Sequence, residues 1–198
     1  MVTSPCRILL IEGHPDTSGR HLNHLLVEAY AGGAIAAGHE VRRVAVGELD
    51  FPVLRSAHDW KQGGVPPALQ ASQQHILWAQ HVVLFFPLWL GEMPALLKAW
   101  LEQVARPGFA VSPEGPKEFG RKPLSGRSAR VVVTMGMPAL VYRWYFRAHS
   151  LKALERNILG FIGFAPIHET LVGSVEQLGE AGMARWQAKL RRLGRDAA

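Results

Sequence analysis

The chain has one cysteine, Cys6, in 198 residues. That count excludes an intramolecular disulfide framework and fits a reducing cytosol. No group of Cys, His and acidic residues has zinc-site spacing, so no metal is expected. No uncharged apolar stretch is long enough to span a bilayer, and Met1-Val2-Thr3-Ser4-Pro5 lacks the charged-then-apolar order of a secretory leader. A cytoplasmic protein without membrane insertion is expected. Neither the Walker pattern nor Gly-x-Gly-x-x-Gly occurs, which argues against ATPases and Rossmann dehydrogenases. Acidic residues are also sparse: 16 against 22 Lys and Arg leave a net charge of +6. The basic residues gather at Arg121-Lys122 with Arg127 and Arg130, at Arg143 with Arg147, and at Lys189-Arg191-Arg192-Arg195. The last group ends a helix, where cations favour the dipole, and no groove-reading motif accompanies any of them. No nucleic-acid partner is expected.

What is present is one core's worth of apolar residues, 48% of the chain, read as a single domain over residues 1–198. Apolar runs at 7–11, 82–86, 129–134 and 167–172, with a half-exposed alternation at 40–46, read as strands. Helical spacing falls between and after them, at 22–37, 68–79, 95–104, after Pro138, and at 175–193. Alternating strands and helices predict an α/β fold, a five-stranded parallel sheet of flavodoxin-like order 2-1-3-4-5 with helices on both faces. Two connections are long, Gly47 to Val65 and Arg106 to Gly126. The second is rich in Gly and Pro and is expected to lie over the site or a neighbouring subunit.

In that order the ends of strands one, three and four meet at the switch point, the usual ligand crevice of such sheets. After the first strand, Gly13-His14-Pro15-Asp16-Thr17-Ser18-Gly19-Arg20-His21-Leu22-Asn23 places glycines, hydroxyls and a helix start where a phosphate can sit. His14, Ser18 and Asn23 are candidate donors, Arg20 or His21 could balance charge, and Thr17 or Ser18 could equally cap the helix. After the third strand, Pro87-Leu88-Trp89-Leu90-Gly91-Glu92-Met93-Pro94 leaves Trp89 in a turn as a stacking platform or a core cap. After the fourth, Thr134-Met135-Gly136-Met137 lets backbone amides approach a flat ligand, and Tyr142 and His149 are read two turns apart on one following helix. A phosphate loop, an aromatic turn and a glycine loop around one crevice best match flavin.

These segments, with Pro107-Gly108-Phe109-Ala110, resemble the flavodoxin-like NAD(P)H:quinone oxidoreductase family, which includes modulator of drug activity B and the flavin-containing ancillary proteins of potassium efflux. The resemblance implies FAD or FMN, with NADPH or NADH as donor and a quinone-like acceptor, exchanging electrons by a ping-pong mechanism. It implies that His14, Ser18 and Asn23 hold the flavin phosphate, that Pro87, Leu88, Trp89 and Leu90 line the isoalloxazine, and that Thr134, Gly136 and Met137 bind its polar edge. Tyr142 matches the tyrosine that shapes the quinone pocket and donates to the acceptor. His149 falls one residue after the matching histidine, and Leu90 stands where many bacterial relatives have a second aromatic. A homodimer is implied, closing the site through Trp89, Phe109 and the 144–146 aromatics. Two alternatives remain: a flavin-binding regulatory subunit of a membrane potassium-efflux system, in peripheral contact with the transporter, and a one-electron flavodoxin-type carrier.

Overall fold

Arg7–Glu12 (β1), Glu40–Ala45 (β2), His81–Pro87 (β3), Ser128–Thr134 (β4) and Ile167–Val172 (β5) pair in parallel, in the order β2-β1-β3-β4-β5. The computed structural model describes residues 4–19, 21–111 and 122–198. The expected flavodoxin-like sheet is therefore borne out in order and in direction. β3 is buried along its whole length because it is the central strand, covered on both faces, which is why it reads as an unbroken apolar run.

Two cores sit on the two faces. On one, α1 (Leu22–Ala36) and α8 (Gly179–Asp196) cover Ile8, Leu10, Val83, Phe85 and Val132. The two helices approach so closely that a Cβ on Gly33 would lie 1.9 Å from the Arg191 carbonyl, and one on Gly194 would lie 2.0 Å from the Tyr30 carbonyl. Only glycine permits that packing. On the other face, α3 (Pro67–Trp78), α4 (Ala95–Val104) and the 149–162 helical segment cover Leu9, Leu84, Val131 and Val133. Trp100 is fully buried there, and its indole N–H donates to Ser72 Oγ at 3.3 Å. Burying a side chain of that size contributes about 3 kcal/mol.

The connection from Gly47 to Val65 is not structureless: it holds a short 3-10 turn, Val46–Glu48, and α2, Ala57–Gln62, capped by Ser56. The buried Arg106 guanidinium ties it down, donating to the carbonyls of Asp59 and Gly63 and to Gln103 Oε1. Of the second long connection, residues 106–111 pack into the α3/α4 side, where Ala110 is buried and Phe109 half-buried. Residues 112–121, on which the expectation of a covering loop mainly falls, lie outside the described residues, as do Arg20 and residues 1–3.

Two helix expectations are corrected. The last helix does not run from Val175: a 3-10 turn, Val175–Gln177, precedes it, and α8 begins at Gly179, whose φ is +57°. The helix after Pro138 is also broken. α5 covers only Ala139–Trp144, α6 covers His149–Ala153 and, after the π-helical stretch Leu154–Leu159, α7 covers Gly160–Ile162. Between α5 and α6 the Ala148 amide donates to the Tyr142 carbonyl at 3.0 Å, while Arg147 and Ala148 have φ of +54° and +48°. This is a left-handed helix stop made without glycine. Tyr142 and His149 therefore do not share a helix.

Candidate active site at the carboxyl edge of the sheet

The first loop leaves β1 by extending the ladder: the Gly13 amide donates to the Phe85 carbonyl at 2.7 Å. A Cβ at Gly13 would fall 2.7 Å from the Leu97 side chain of α4 and 3.1 Å from that same carbonyl, so both neighbours would have to give. The far side of the loop rests on Gly47, where a Cβ would meet the carbonyls of Pro15 and His14 at 2.7 and 2.9 Å. The loop is thus held between α4 and the 3-10 turn.

His14 is buried, and its Nδ1 faces both the amide (3.1 Å) and the carbonyl (3.0 Å) of Asp16. Burial lowers its pKa, with further lowering from His21 and His24. The exposed Asp16 carboxylate accepts from the Ser18 hydroxyl at 2.6 Å and amide at 2.8 Å, and faces His21 Nε2 at 2.9 Å. The Ser18 contacts first, then His21, hold it well below the usual carboxylate range. The Ser18 hydroxyl therefore faces Asp16, and it does not cap α1. The cap position is His21, whose side chain makes no capping bond. The first-turn amides of α1 are consequently open to an outside acceptor. Asn23 lies in that same first turn, is 1% exposed, and neither its Oδ1 nor its Nδ2 has a partner. A buried amide left unpaired costs free energy, so its persistence points to a ligand or water. These open donors and the orphaned carboxamide fit a phosphate.

The turn after β3 is a two-residue reversal. Trp89 and Glu92 exchange two backbone hydrogen bonds of 2.9 Å around Leu90 and Gly91, whose φ values are +49° and +80°. Such a turn needs positive φ at both central residues, which glycine meets freely and leucine only at some cost. Leu90 is fully exposed, and Trp89 about half exposed at 48%. The Trp89 ring sits edge-on to His14, centroids 5.8 Å apart, joining the first and third loops. Pro87 is buried and Leu88 half-buried, and the Leu88 amide donates to the Thr134 carbonyl at 2.8 Å, joining the third and fourth. The fourth loop is fixed in turn by bonds from Ser174 to Met137 and between Met135 and residues 172 and 175. Thr134 is buried, Gly136 exposed and Met137 half-buried. The Gly136 and Met137 amides donate to no carbonyl among the described residues.

Beside the Trp89 turn lies a cleft of about 650 Å³, walled by Trp89, Glu92, Lys98, Ser150, Leu154 and neighbours. Tyr142 is buried beneath that wall. Its hydroxyl lies 2.6 Å from Ser150 Oγ and accepts from the Leu151 amide at 3.2 Å. His149 is exposed at the start of α6 and does not line the cleft. The sequence reading missed Ser150, adjacent to His149: the broken helix brings residue 150, not 149, back toward residue 142. It also missed His24 and Glu12, whose Nε2 and Oε1 are 3.3 Å apart. The i, i+3 spacing of His21 and His24 was the available signal for the former.

Outside this site, Leu140, Val141, Trp144 and Tyr145 form an exposed apolar stretch on and just after α5, between 41% and 80% exposed.

The sequence model of a family described as having a flavodoxin-like fold matches residues 6–195. Among curated proteins, the chain is 27% identical over 146 residues to the glutathione-regulated potassium-efflux system ancillary protein KefG of Shigella dysenteriae serotype 1 (strain Sd197). That match covers 73% of this chain and 66% of the relative, so the chain spans just under two thirds of the relative's length. Among solved structures, a putative quinone reductase from Klebsiella pneumoniae superposes with a TM-score of 0.82 at 25% identity, covering 95% of this chain and 83% of that one. An NAD(P)H:quinone oxidoreductase from Methanothermobacter marburgensis superposes at 0.81 with 19% identity, covering 98% and 96%.

Proposed function

The chain belongs to the family of flavodoxin-like fold, and on that footing we propose that it is a flavin-dependent oxidoreductase that passes electrons from NADH or NADPH to a quinone-like acceptor. What supports the reading is that the first and fourth loops, each joined to the third through His14–Trp89 and Leu88–Thr134, carry unpaired donors: the Asn23 carboxamide, the uncapped first turn of α1, and the amides of Gly136 and Met137. The quinone-reductase neighbours support the activity, and the resemblance read from the sequence supports the cofactor, FAD or FMN.

Flavin bound there would supply two-electron chemistry, serving donor and acceptor in turn at one face. The residues of this chain have separate tasks. Asn23, His14 and the α1 amides hold the phosphate, with Ser18 beside them. Trp89, Leu88, Leu90 and Pro87 offer an apolar surface to a flat ring system. The amides of Gly136 and Met137, beside Thr134, would hold the polar edge of the ring, and preorganised donors of this kind stabilise charge without reorganisation. Ser150 lines the cleft, and Tyr142 positions its hydroxyl from below while the Tyr142 oxygen accepts from the Leu151 amide. His149 sits outside that pair. A second copy of the chain would cover the exposed Trp89, Leu90 and α5 aromatics and close the site.

Anaerobic mixing of the flavin-loaded protein with NADH or NADPH tests the proposal. Bleaching of the flavin band, reversed by a quinone, is the expected result. A flavin that stays oxidised with both nucleotides contradicts it. The second reading, a regulatory partner of a potassium-efflux system, is supported by the KefG likeness and the exposed apolar stretch on α5. Co-purification with such a transporter, with poor turnover of every acceptor, would favour it.

A further inference from the structure

Three imidazoles meet at the phosphate loop. The His14 and His21 rings are stacked, 4.0 Å between centroids and 17° from parallel. His24 meets both edge-on, at 5.2 and 5.4 Å. Each ring is oriented by a different partner: His14 by the Asp16 backbone, His21 by the Asp16 carboxylate, and His24 by the Gly19 carbonyl at 2.9 Å and by Glu12. Nε2 of His14 and Nδ1 of His21 have no hydrogen-bond partner among the described residues. Asn23, in the same first turn of α1 as His24, has a buried carboxamide without a partner.

We propose that His14, His21 and His24 form, with Asn23, a proton-coupled cradle for a phosphate group, in which arrival of the anion draws a proton onto the imidazoles. The proposal rests on the flavin reading for the identity of the phosphate's bearer and goes beyond it in assigning His21 and His24. Two parallel imidazoles 4.0 Å apart oppose joint protonation, since like charges at that distance repel, and the Asp16 carboxylate beside His21 offsets only part of that repulsion. A phosphate dianion reverses the sign of that local field. The loop is arranged for either state of His14: the Asp16 amide donates to a neutral Nδ1, and the Asp16 carbonyl accepts from a protonated one. In both, Nε2 can carry a hydrogen for the ligand. Nδ1 of His24 faces a carbonyl and its Nε2 a carboxyl, and burial raises the pKa of Glu12.

Among the described residues, the charged groups facing the cluster are few. Glu12 comes from β1 and Asp16 from the loop. Behind Glu12 stand Arg43 of β2, paired with Glu28 of α1, and Glu48 of the 3-10 turn. Trp89 contributes an uncharged edge. Asp16 is held ionised by Ser18 as well as by His21, so His21 can turn toward a phosphate without leaving that carboxylate unpaired.

The test follows the imidazole carbon and proton resonances of the labelled protein from about pH 5.5 to 8.5, with and without saturating inorganic phosphate. Phosphate is expected to raise the titration midpoint of at least one of His14, His21 and His24 by about one unit, the shift typical of a new opposite charge at contact. His58, exposed on α2, should not move. The same shift should be lost in the double variant H21Q/H24Q, with circular dichroism verifying its fold. FMN affinity should then tighten by up to about tenfold per pH unit between pH 8 and 6, one proton per phosphate. Riboflavin, which lacks the phosphate, should show a flat profile. Midpoints that ignore phosphate, with FMN bound equally at each pH, overturn the cradle and leave the flavin reading standing. Midpoints that respond to phosphate in a protein that takes up no flavin keep the cradle as an anion site and overturn the flavin reading instead.

Discussion

The hydroxyl oxygens of Tyr142 and Ser150 lie 2.6 Å apart across the break between α5 and α6, the phenol buried and the serine at the wall of the cleft. Because the Leu151 amide donates to the same phenol oxygen, Tyr142 can spend its proton on Ser150 and leave the serine hydrogen for an acceptor. S150A is therefore expected to slow acceptor turnover by about tenfold or more, within the range of general-acid effects, while leaving NAD(P)H bleaching intact. Y142F should cost about 1–3 kcal/mol in stability, because two buried partners lose their mate, and should lower turnover less than S150A. Stopped-flow measurement of the two half-reactions, with thermal unfolding beside it, separates these effects. Equal loss in both half-reactions for S150A would remove the assigned role.

Asn23 gives a prediction of opposite signs. Its unpaired carboxamide is a cost in the free protein, so N23L should leave the melting temperature unchanged or raise it. Flavin affinity should nevertheless fall by about tenfold or more, about 1.4 kcal/mol. Calorimetry of the apoprotein and fluorescence titration with FMN measure the two quantities. Destabilisation without loss of affinity would make Asn23 a structural residue.

His81 sets an acid limit on stability. It is 1% exposed, its Nδ1 bonded to Ser128 Oγ at 2.7 Å and its Nε2 unpaired. Burial first, then Arg130 and His168, lower its pKa from 6.5 to about 4. Between those values the unfolded chain binds a proton that the folded one refuses. Stability from this site is thus fully present above about pH 6.5 and is lost as pH falls to about 4, a loss of about 3 kcal/mol. H81L should flatten that slope in urea unfolding at pH 7, 6 and 5. An unchanged slope would assign acid sensitivity to other groups.

G47A tests the support beneath the phosphate loop. Its Cβ would meet two loop carbonyls below 3.0 Å, so the loop must shift. Flavin affinity should fall by about tenfold or more, since a loop displaced from its ligand forfeits well-aligned hydrogen bonds. Fluorescence titration reads it, and wild-type affinity in this variant would show that the loop's position is not what sets binding.

The exposed aromatics after Pro138 predict self-association. W144E/Y145E should shift gel filtration from a dimer toward the 21.8 kDa monomer and reduce turnover with it. Wild-type protein eluting only as monomer would remove the dimer from the account.

Much of this architecture could be read from residues alone where burial writes a simple pattern. β3 is apolar from Val82 to Phe86 because both its faces are covered, and α4 begins at Ala95 as Pro94 implies. The meeting of the three loops followed from strand order. What the sequence hid was conformation without a chemical signature. Arg147 and Ala148 adopt left-handed backbone with no glycine to announce it, so the helix reads as continuous and His149, rather than Ser150, is read as the neighbour of Tyr142. The capture of Ser18 by Asp16, and the gathering of His14, His21 and His24, depend on a loop path that spacing does not encode.

The most direct measurement of the central claim is the visible spectrum of the purified protein after incubation with FMN or FAD and removal of free nucleotide by gel filtration. Our account predicts that the flavin absorption travels with the polypeptide and that NADH or NADPH bleaches it. A colourless protein fraction after both incubations would contradict it.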